Sequence, residues 1–185
     1  MTDDQLAAFV PDLERWEGSV PYMYRDTMGY VTVGVGNLLH DADEACQLPF
    51  QFGGVPATLG RIQQDFLRVI SMAKGLPAKM YHSASSVELT EQGILDLTIR
   101  RLRTEFLPGL TRLFIGFDEY PRPAQSALVD IAWNCGIRGI AQFSHLLAAC
   151  RERDWRAAAA SCHRKSSRPE RNQWTESMLL EAVNG

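Results

Sequence analysis

Leu6, Phe9, Val10, Leu13 and Trp16 recur at three- and four-residue spacing, a period that predicts an amphipathic helix over residues 1–17. Thr2 and Gln5 form a capping box at its start, and Gly18 and Pro21 stop it. The period then changes. Tyr22, Tyr24, Val31, Val33 and Val35 read as short strands around a turn at Met28-Gly29, a small hairpin over residues 18–38.

Residues 39–87 carry a weaker pattern and read as an inserted loop-and-helix segment. Asp41-Ala42-Asp43-Glu44 is polar, and Pro49 to Pro56 reads as a loop with exposed Phe50 and Phe52. Arg61 to Met72 predicts a helix with Ile62, Phe66, Val69 and Ile70 on one face, and Gly75 to Ser86 is loop again. The segment deepens a cleft wall, docks a partner or is inert. From residue 88 to 185 the pattern is helical almost throughout. Helices are expected over 90–106, 108–114, 123–135, 141–151, 154–163 and 169–183. The fold class is α+β and mainly α: a hairpin lobe and a helical lobe within one domain.

Composition narrows the function classes. A chain of 185 residues, 45% hydrophobic and 22% charged, buries a core without staples. A net charge of −3 speaks against nucleic acid as a partner, which would usually call for a basic face. The start lacks a basic and then apolar leader, so no secretory signal is expected, and no apolar run is long enough for membrane insertion. Cys46, Cys135, Cys150 and Cys162 have no metal-ligand spacing. They read as free thiols packed as small apolar groups, or as a disulfide formed after transfer to an oxidising compartment. His40, His82, His145 and His163 are scattered and suit surface or packing roles. The acidic run after His40 reads as solvated rather than cation-binding. Neither a serine-nucleophile elbow nor a zinc-protease motif is present, and no cofactor or metal is implied.

Candidate chemistry concentrates in one run. Eight residues separate Glu17 from Asp26, and five separate Asp26 from Thr32. A glutamate at a helix end, an aspartate at a turn and a threonine on the next strand bring two carboxyls and a hydroxyl together from one short stretch. Two carboxyls in unlike surroundings are what glycosidic cleavage requires. Next to Trp16, a partly desolvated Glu17 would keep its proton and act as general acid. Asp26, in a polar turn, would stay ionised and handle water, and the Thr32 hydroxyl would help hold it. Taken singly, each residue has a plain structural explanation: a solvated helix end, a turn aspartate and a strand threonine. Gly34 and Gly36 either admit a sugar chain close to the backbone or serve strand packing.

The spacing of Glu17, Asp26 and Thr32, and with it the run Tyr24-Arg25-Asp26-Thr27-Met28-Gly29-Tyr30-Val31-Thr32-Val33-Gly34-Val35-Gly36, resembles the phage-type lysozymes of the T-even kind, an endolysin family of glycoside hydrolases. Ala127 to Gly136, Phe143 to Leu147, Asp154 to Ala158 and Pro169-Glu170-Arg171 are similar to later family elements, so the match covers both ends of the chain and fails mainly in the middle. The resemblance implies a lysozyme-like fold with a cleft between hairpin lobe and helical lobe. It implies a monomeric muramidase that cleaves the β-1,4 bond between N-acetylmuramic acid and N-acetylglucosamine with inversion. Glu17, Asp26 and Thr32 would be catalytic. Gly36, Leu38, Trp133, Asn134 and Ser161 would bind substrate, with Trp133 alternatively a core tryptophan. Tyr24 would support the site, and Arg171 would reach Glu17 or lie on the surface. Asn37 departs from the family, whose members often carry a structural histidine there.

Peptidoglycan is often anionic, so an acidic hydrolase needs a locally basic cleft. Arg138, Arg164, Lys165, Arg168 and Arg171 are candidates for it, or are solvated surface charges. The expected setting is the periplasm, reached from the cytoplasm through a phage holin or a secretion machine. The chain would act as an endolysin or as an antibacterial toxin effector, the latter with a periplasmic immunity protein as partner. The alternative is a catalytically silent module that holds glycan, or a partner protein through Phe50 and Phe52.

Overall fold

Thr2 donates its N–H to Gln5 Oε1 at 2.9 Å, and Gln5 returns its N–H to Thr2 Oγ1 at 3.4 Å. The helix they open, α1, runs Asp3–Glu17 in this computed structural model, which describes residues 1–184. Leu6, Phe9, Val10 and Leu13 are buried along it. Pro11 sits within α1 on its exposed side, so the amide bond it removes is lost on the solvent face. Gly18 takes φ +78° and donates to Glu14 O at 2.8 Å, a left-handed helix stop that glycine adopts without a Cβ penalty.

The chain is α+β and mainly helical. It forms two compact units, Val10–Arg100 and the remainder, Met1–Phe9 with the residues from Arg101 on. Among the described residues no helix is long and apolar enough to cross a membrane.

In the unit Val10–Arg100, β1 (Val20–Arg25), β2 (Val31–Gly34) and β3 (Asn37–Leu39) form an antiparallel sheet in sequence order. Val35, expected in a strand, lies in the tight turn before β3. The segment read as loop and helix is more ordered than its sequence suggested. Asp41 caps α2 (Ala42–Cys46) by accepting the Glu44 N–H at 2.8 Å, and Glu44 Oε2 accepts the His40 N–H at 2.7 Å. The acidic run is thus a reciprocal helix start. β4 (Gln51–Phe52) and β5 (Val55–Pro56) make a hairpin, and α3 (Leu59–Ser71) follows. Phe50, expected to be exposed, is buried at the base of this hairpin, where its carbonyl accepts Ala57 N–H at 2.9 Å; Phe52 stays exposed.

Three ties make this segment integral. Glu88 bridges Tyr22 on β1 and Gln51 on β4, joining the hairpin to the main sheet. Asp65 of α3 is fully buried and accepts Val87 N–H and Ser86 Oγ, each at 2.9 Å, together with Ser86 N–H and the Arg68 guanidinium. Tyr81, also fully buried, donates its hydroxyl to Ala73 O at 2.6 Å and accepts Leu76 N–H at 3.2 Å. Apolar packing by Met23, Val31, Val33, Ile62, Val69 and Val87 completes the core. α4 (Glu91–Arg101) closes the unit.

The other unit is all helical. A short π-helical turn, Leu102–Phe106, leads into α5 (Leu107–Leu113). The central α6 (Arg122–Ile140) is interrupted at Gly136, whose φ of 73° and ψ of 165° break the helical path. α7 (Ser144–Arg151), α8 (Trp155–Ala160) and α9 (Pro169–Glu181) follow. Ala124, Ala127, Leu128, Val129, Ile131 and Ala132 bury one long stretch of α6. Asp130 lies among them at 0% exposure and is neutralised by two arginines. Its Oδ2 accepts Arg164 Nη1 at 2.8 Å and Thr175 Oγ1 at 2.9 Å, and its Oδ1 accepts Arg171 Nε at 2.9 Å and Nη2 at 2.7 Å. Four hydrogen bonds to its two oxygens make the Asp130 charge tolerable in the interior.

Candidate active site

The Asp26 turn is built by its own side chain. Asp26 Oδ1 accepts the N–H of Gly29 at 2.7 Å and of Tyr30 at 2.8 Å. The backbone closes the same loop: Asp26 N–H bonds to Tyr30 O at 2.9 Å, and Gly29 N–H reaches Asp26 O at 3.1 Å. Gly29 sits at φ +99°, a conformation that costs a residue with a Cβ. Two amides therefore fix one carboxylate oxygen, and Oδ2 takes no hydrogen bond among the described residues. It is left open to a water or a substrate group.

Strand pairing places the next candidates in one row. Tyr24 on β1 stands opposite Thr32 on β2, which stands opposite Leu38 on β3. Residues directly opposed in antiparallel strands point to the same face, so Tyr24, Thr32 and Leu38 are neighbours. Thr32 is buried, and its hydroxyl makes only a long 3.5 Å contact with Tyr30 O, which leaves its donor weakly engaged. Burial pushes the Tyr24 phenol up to about 12, with the negative charges of Asp26 and then Glu17 adding to the shift. One phenol that feels both carboxylates ties the helix end and the strand turn to one neighbourhood.

Glu17 differs from expectation. It occupies the last turn of α1 and is exposed; Trp16 beside it is half-buried under the Arg15 guanidinium, 4.8 Å from its ring centre. The two glycines separate in role. At Gly34, φ +63°, an added Cβ would stand 3.1 Å from Asn37 Nδ2 and 3.2 Å from Ile94, so this position is demanded by conformation and packing. At Gly36, φ +76°, a Cβ would meet nothing within 4 Å, so its backbone borders open space. Asn37 is buried on β3.

Trp133, Asn134, Ser161 and Arg171 belong to the other unit. Trp133 is half-buried, stacked on Phe106 at a centroid distance of 5.1 Å, with the Arg101 guanidinium 5.0 Å from its ring centre. Asn134 follows it on the half-buried last turn before Gly136. Ser161 donates its hydroxyl to Ala157 O at 2.8 Å, so its oxygen remains available only as an acceptor. Arg171 is not a surface arginine: it is buried against Asp130. Arg164 is buried there too, whereas Arg138, Lys165 and Arg168 are exposed. All four cysteines are free thiols; Cys150 and Cys162 are buried, and Cys46 and Cys135 half-buried.

Sequence reasoning missed Arg25. Its Nε donates to Gly29 O at 2.9 Å and its Nη1 to Met72 O at 2.6 Å, so it touches the turn that orients Asp26. Adjacency to Asp26 was the only signal, and the distant carbonyl partner has no signature in the chain. No family model matches this chain, and no curated protein matches it.

Proposed function

We propose that this protein is a peptidoglycan hydrolase that cleaves the β-1,4 bond between N-acetylmuramic acid and N-acetylglucosamine. The observation that carries the reading is the Tyr24 phenol, held beside Thr32 by strand register and within the field of both Glu17 and Asp26. Glu17 gives its proton to the leaving glycosidic oxygen. Asp26 uses the open Oδ2 to orient and deprotonate a water, while Oδ1 stays fixed by two amides. Thr32, with its hydroxyl hardly engaged, offers that water a second contact. The water attacks the anomeric carbon from the face opposite the departing oxygen, and the product is inverted.

The exposure of Glu17 gives the substrate a part in this scheme. A sugar strand laid over the helix end excludes water from the carboxyl and supplies the apolar surroundings that a general acid needs. The backbone at Gly36, open to its surroundings, allows a strand to come close to the sheet edge.

The direct test is clearing of purified peptidoglycan by the wild-type protein and by Glu17→Gln. Wild-type clearing that falls by at least about a hundredfold in the variant supports general-acid catalysis. Full activity in Glu17→Gln removes Glu17 as the acid, and absence of wild-type clearing favours a silent glycan-holding module.

A further inference from the structure

Asp26 is oriented by a turn, and that turn is held from outside. Gly29 is the hinge point: its N–H serves both Asp26 Oδ1 at 2.7 Å and Asp26 O at 3.1 Å, while its own carbonyl accepts Arg25 Nε at 2.9 Å. The far end of the same guanidinium reaches Met72 O at 2.6 Å, the residue that ends α3. Three residues on, Gly75 N–H donates to Asp26 O at 3.1 Å. A Cβ at Gly29 would lie 3.4 Å from Lys74 Cδ, so the loop 72–75 rests against the turn along its length. That loop is itself firm: α3 is pinned by buried Asp65 and by the packing of Phe66 and Val69, and the chain after it is tied by Tyr81 to Ala73 and Leu76.

The geometry points to a brace: Arg25 and the loop 72–75 position Asp26, and the segment between the first sheet and α4 is a working part of the site rather than decoration. The inference rests on the proposed role of Asp26. Both Arg25 bonds end on carbonyls rather than on a carboxylate, so its contribution is planar bridging more than charge. A lysine keeps the charge but presents a single ammonium on a flexible stem and cannot span two fixed carbonyls as a fork does. Arg25 is thus a positioning residue. It sets the direction of Oδ2 through Gly29, and displacements on the ångström scale at such a group are costly to turnover.

The test uses Arg25→Lys and Arg25→Met in the full chain. Each is assayed on soluble peptidoglycan glycan fragments, with a thermal melt to establish that the variant is folded at the assay temperature. Both variants are expected to lose kcat by about tenfold or more with KM within about twofold, because binding surface is untouched while the water-handling carboxylate swings. Amide hydrogen exchange is expected to accelerate at Gly29, Tyr30 and Gly75, with Val31 and Val33 unchanged. Wild-type kcat in either variant overturns the brace, as does a loss in Arg25→Met that Arg25→Lys restores, which would make the effect one of charge. If the wild-type protein does not cut glycan at all, the catalytic reading fails on its own. The exchange experiment then still decides the brace: unchanged protection at Gly29, Tyr30 and Gly75 in Arg25→Met refutes it, and faster exchange upholds it.

Discussion

Replacing Asp65 with alanine should destabilise the unit Val10–Arg100 by about 3 kcal/mol, and the figure follows from what each lost partner can do instead. The carboxylate is at 0% exposure and accepts from Val87 N–H, Ser86 N–H, Ser86 Oγ and Arg68. Arg68 and Ser86 lie at the surface, so their donors turn to water at little cost. Val87 is at 0% exposure, and its N–H is left without an acceptor, a penalty of about 1–3 kcal/mol. The void left by the carboxylate and the loss of the charge-assisted bond to buried Val87 N–H add about 1–2 kcal/mol. Relief of the carboxylate's own desolvation offsets part of the sum. For a chain of 185 residues the net effect lowers Tm by about 6–12 °C. Arg68→Ala, which leaves the buried carboxylate with its Ser86 and Val87 donors, should cost less than Asp65→Ala. Urea and thermal unfolding followed by circular dichroism measure both. A loss under 1 kcal/mol for Asp65→Ala, or equal losses for the two variants, would refute the reasoning.

Other consequences are open to test. Asp130→Asn takes away the carboxylate charge that buried Arg164 and Arg171 share, and should cost about 3–5 kcal/mol by denaturant unfolding. Gly34→Ala should lower stability more than Gly36→Ala: both have left-handed φ, but only Gly34 is crowded by Asn37 and Ile94, and paired melts give the difference, on the order of 1 kcal/mol. Alkaline pH should destabilise the fold. Burial raises the Tyr24 phenol to about 12, the Cys150 thiol to about 12 and the Cys162 thiol to about 11. The unfolded chain loses these protons first, so the stability they contribute is complete below about pH 9 and declines as pH rises towards 12. Unfolding free energies at pH 8 and pH 10.5 check the sign.

The first helix and the site run were legible because their information is local. A capping box, a helical apolar stripe and a glycine stop lie within eighteen residues, and the Asp26 turn is closed by its own side chain. The helical tail was legible for the same reason, since periodicity marks its elements and prolines open α5, α6 and α9. Failures came where an element is too short to show a period or where partners are distant. Asp41 and Glu44 look like solvated acids until they are seen capping a five-residue helix. Phe50 looks exposed because a two-residue strand leaves no periodic trace. Arg164 and Arg171 look like surface charges because their carboxylate, Asp130, lies more than thirty residues away. Arg25 owes its role to a carbonyl 47 residues on. The exposure of Glu17 was hidden in another way: sequence shows what neighbours a helix end along the chain, not how much of it solvent reaches.

The central claim is that Glu17 and Asp26, with Thr32, hydrolyse a sugar linkage by direct attack of water. Digestion of purified sacculi, with mass spectrometry of the soluble products and proton NMR of the first anomer formed, tests it most directly. Muropeptides with reducing ends, released initially as the α-anomer, are expected from the wild-type protein and none from Glu17→Gln. Anhydro ends, a β-anomer formed first, or no soluble product from the wild-type protein would contradict it.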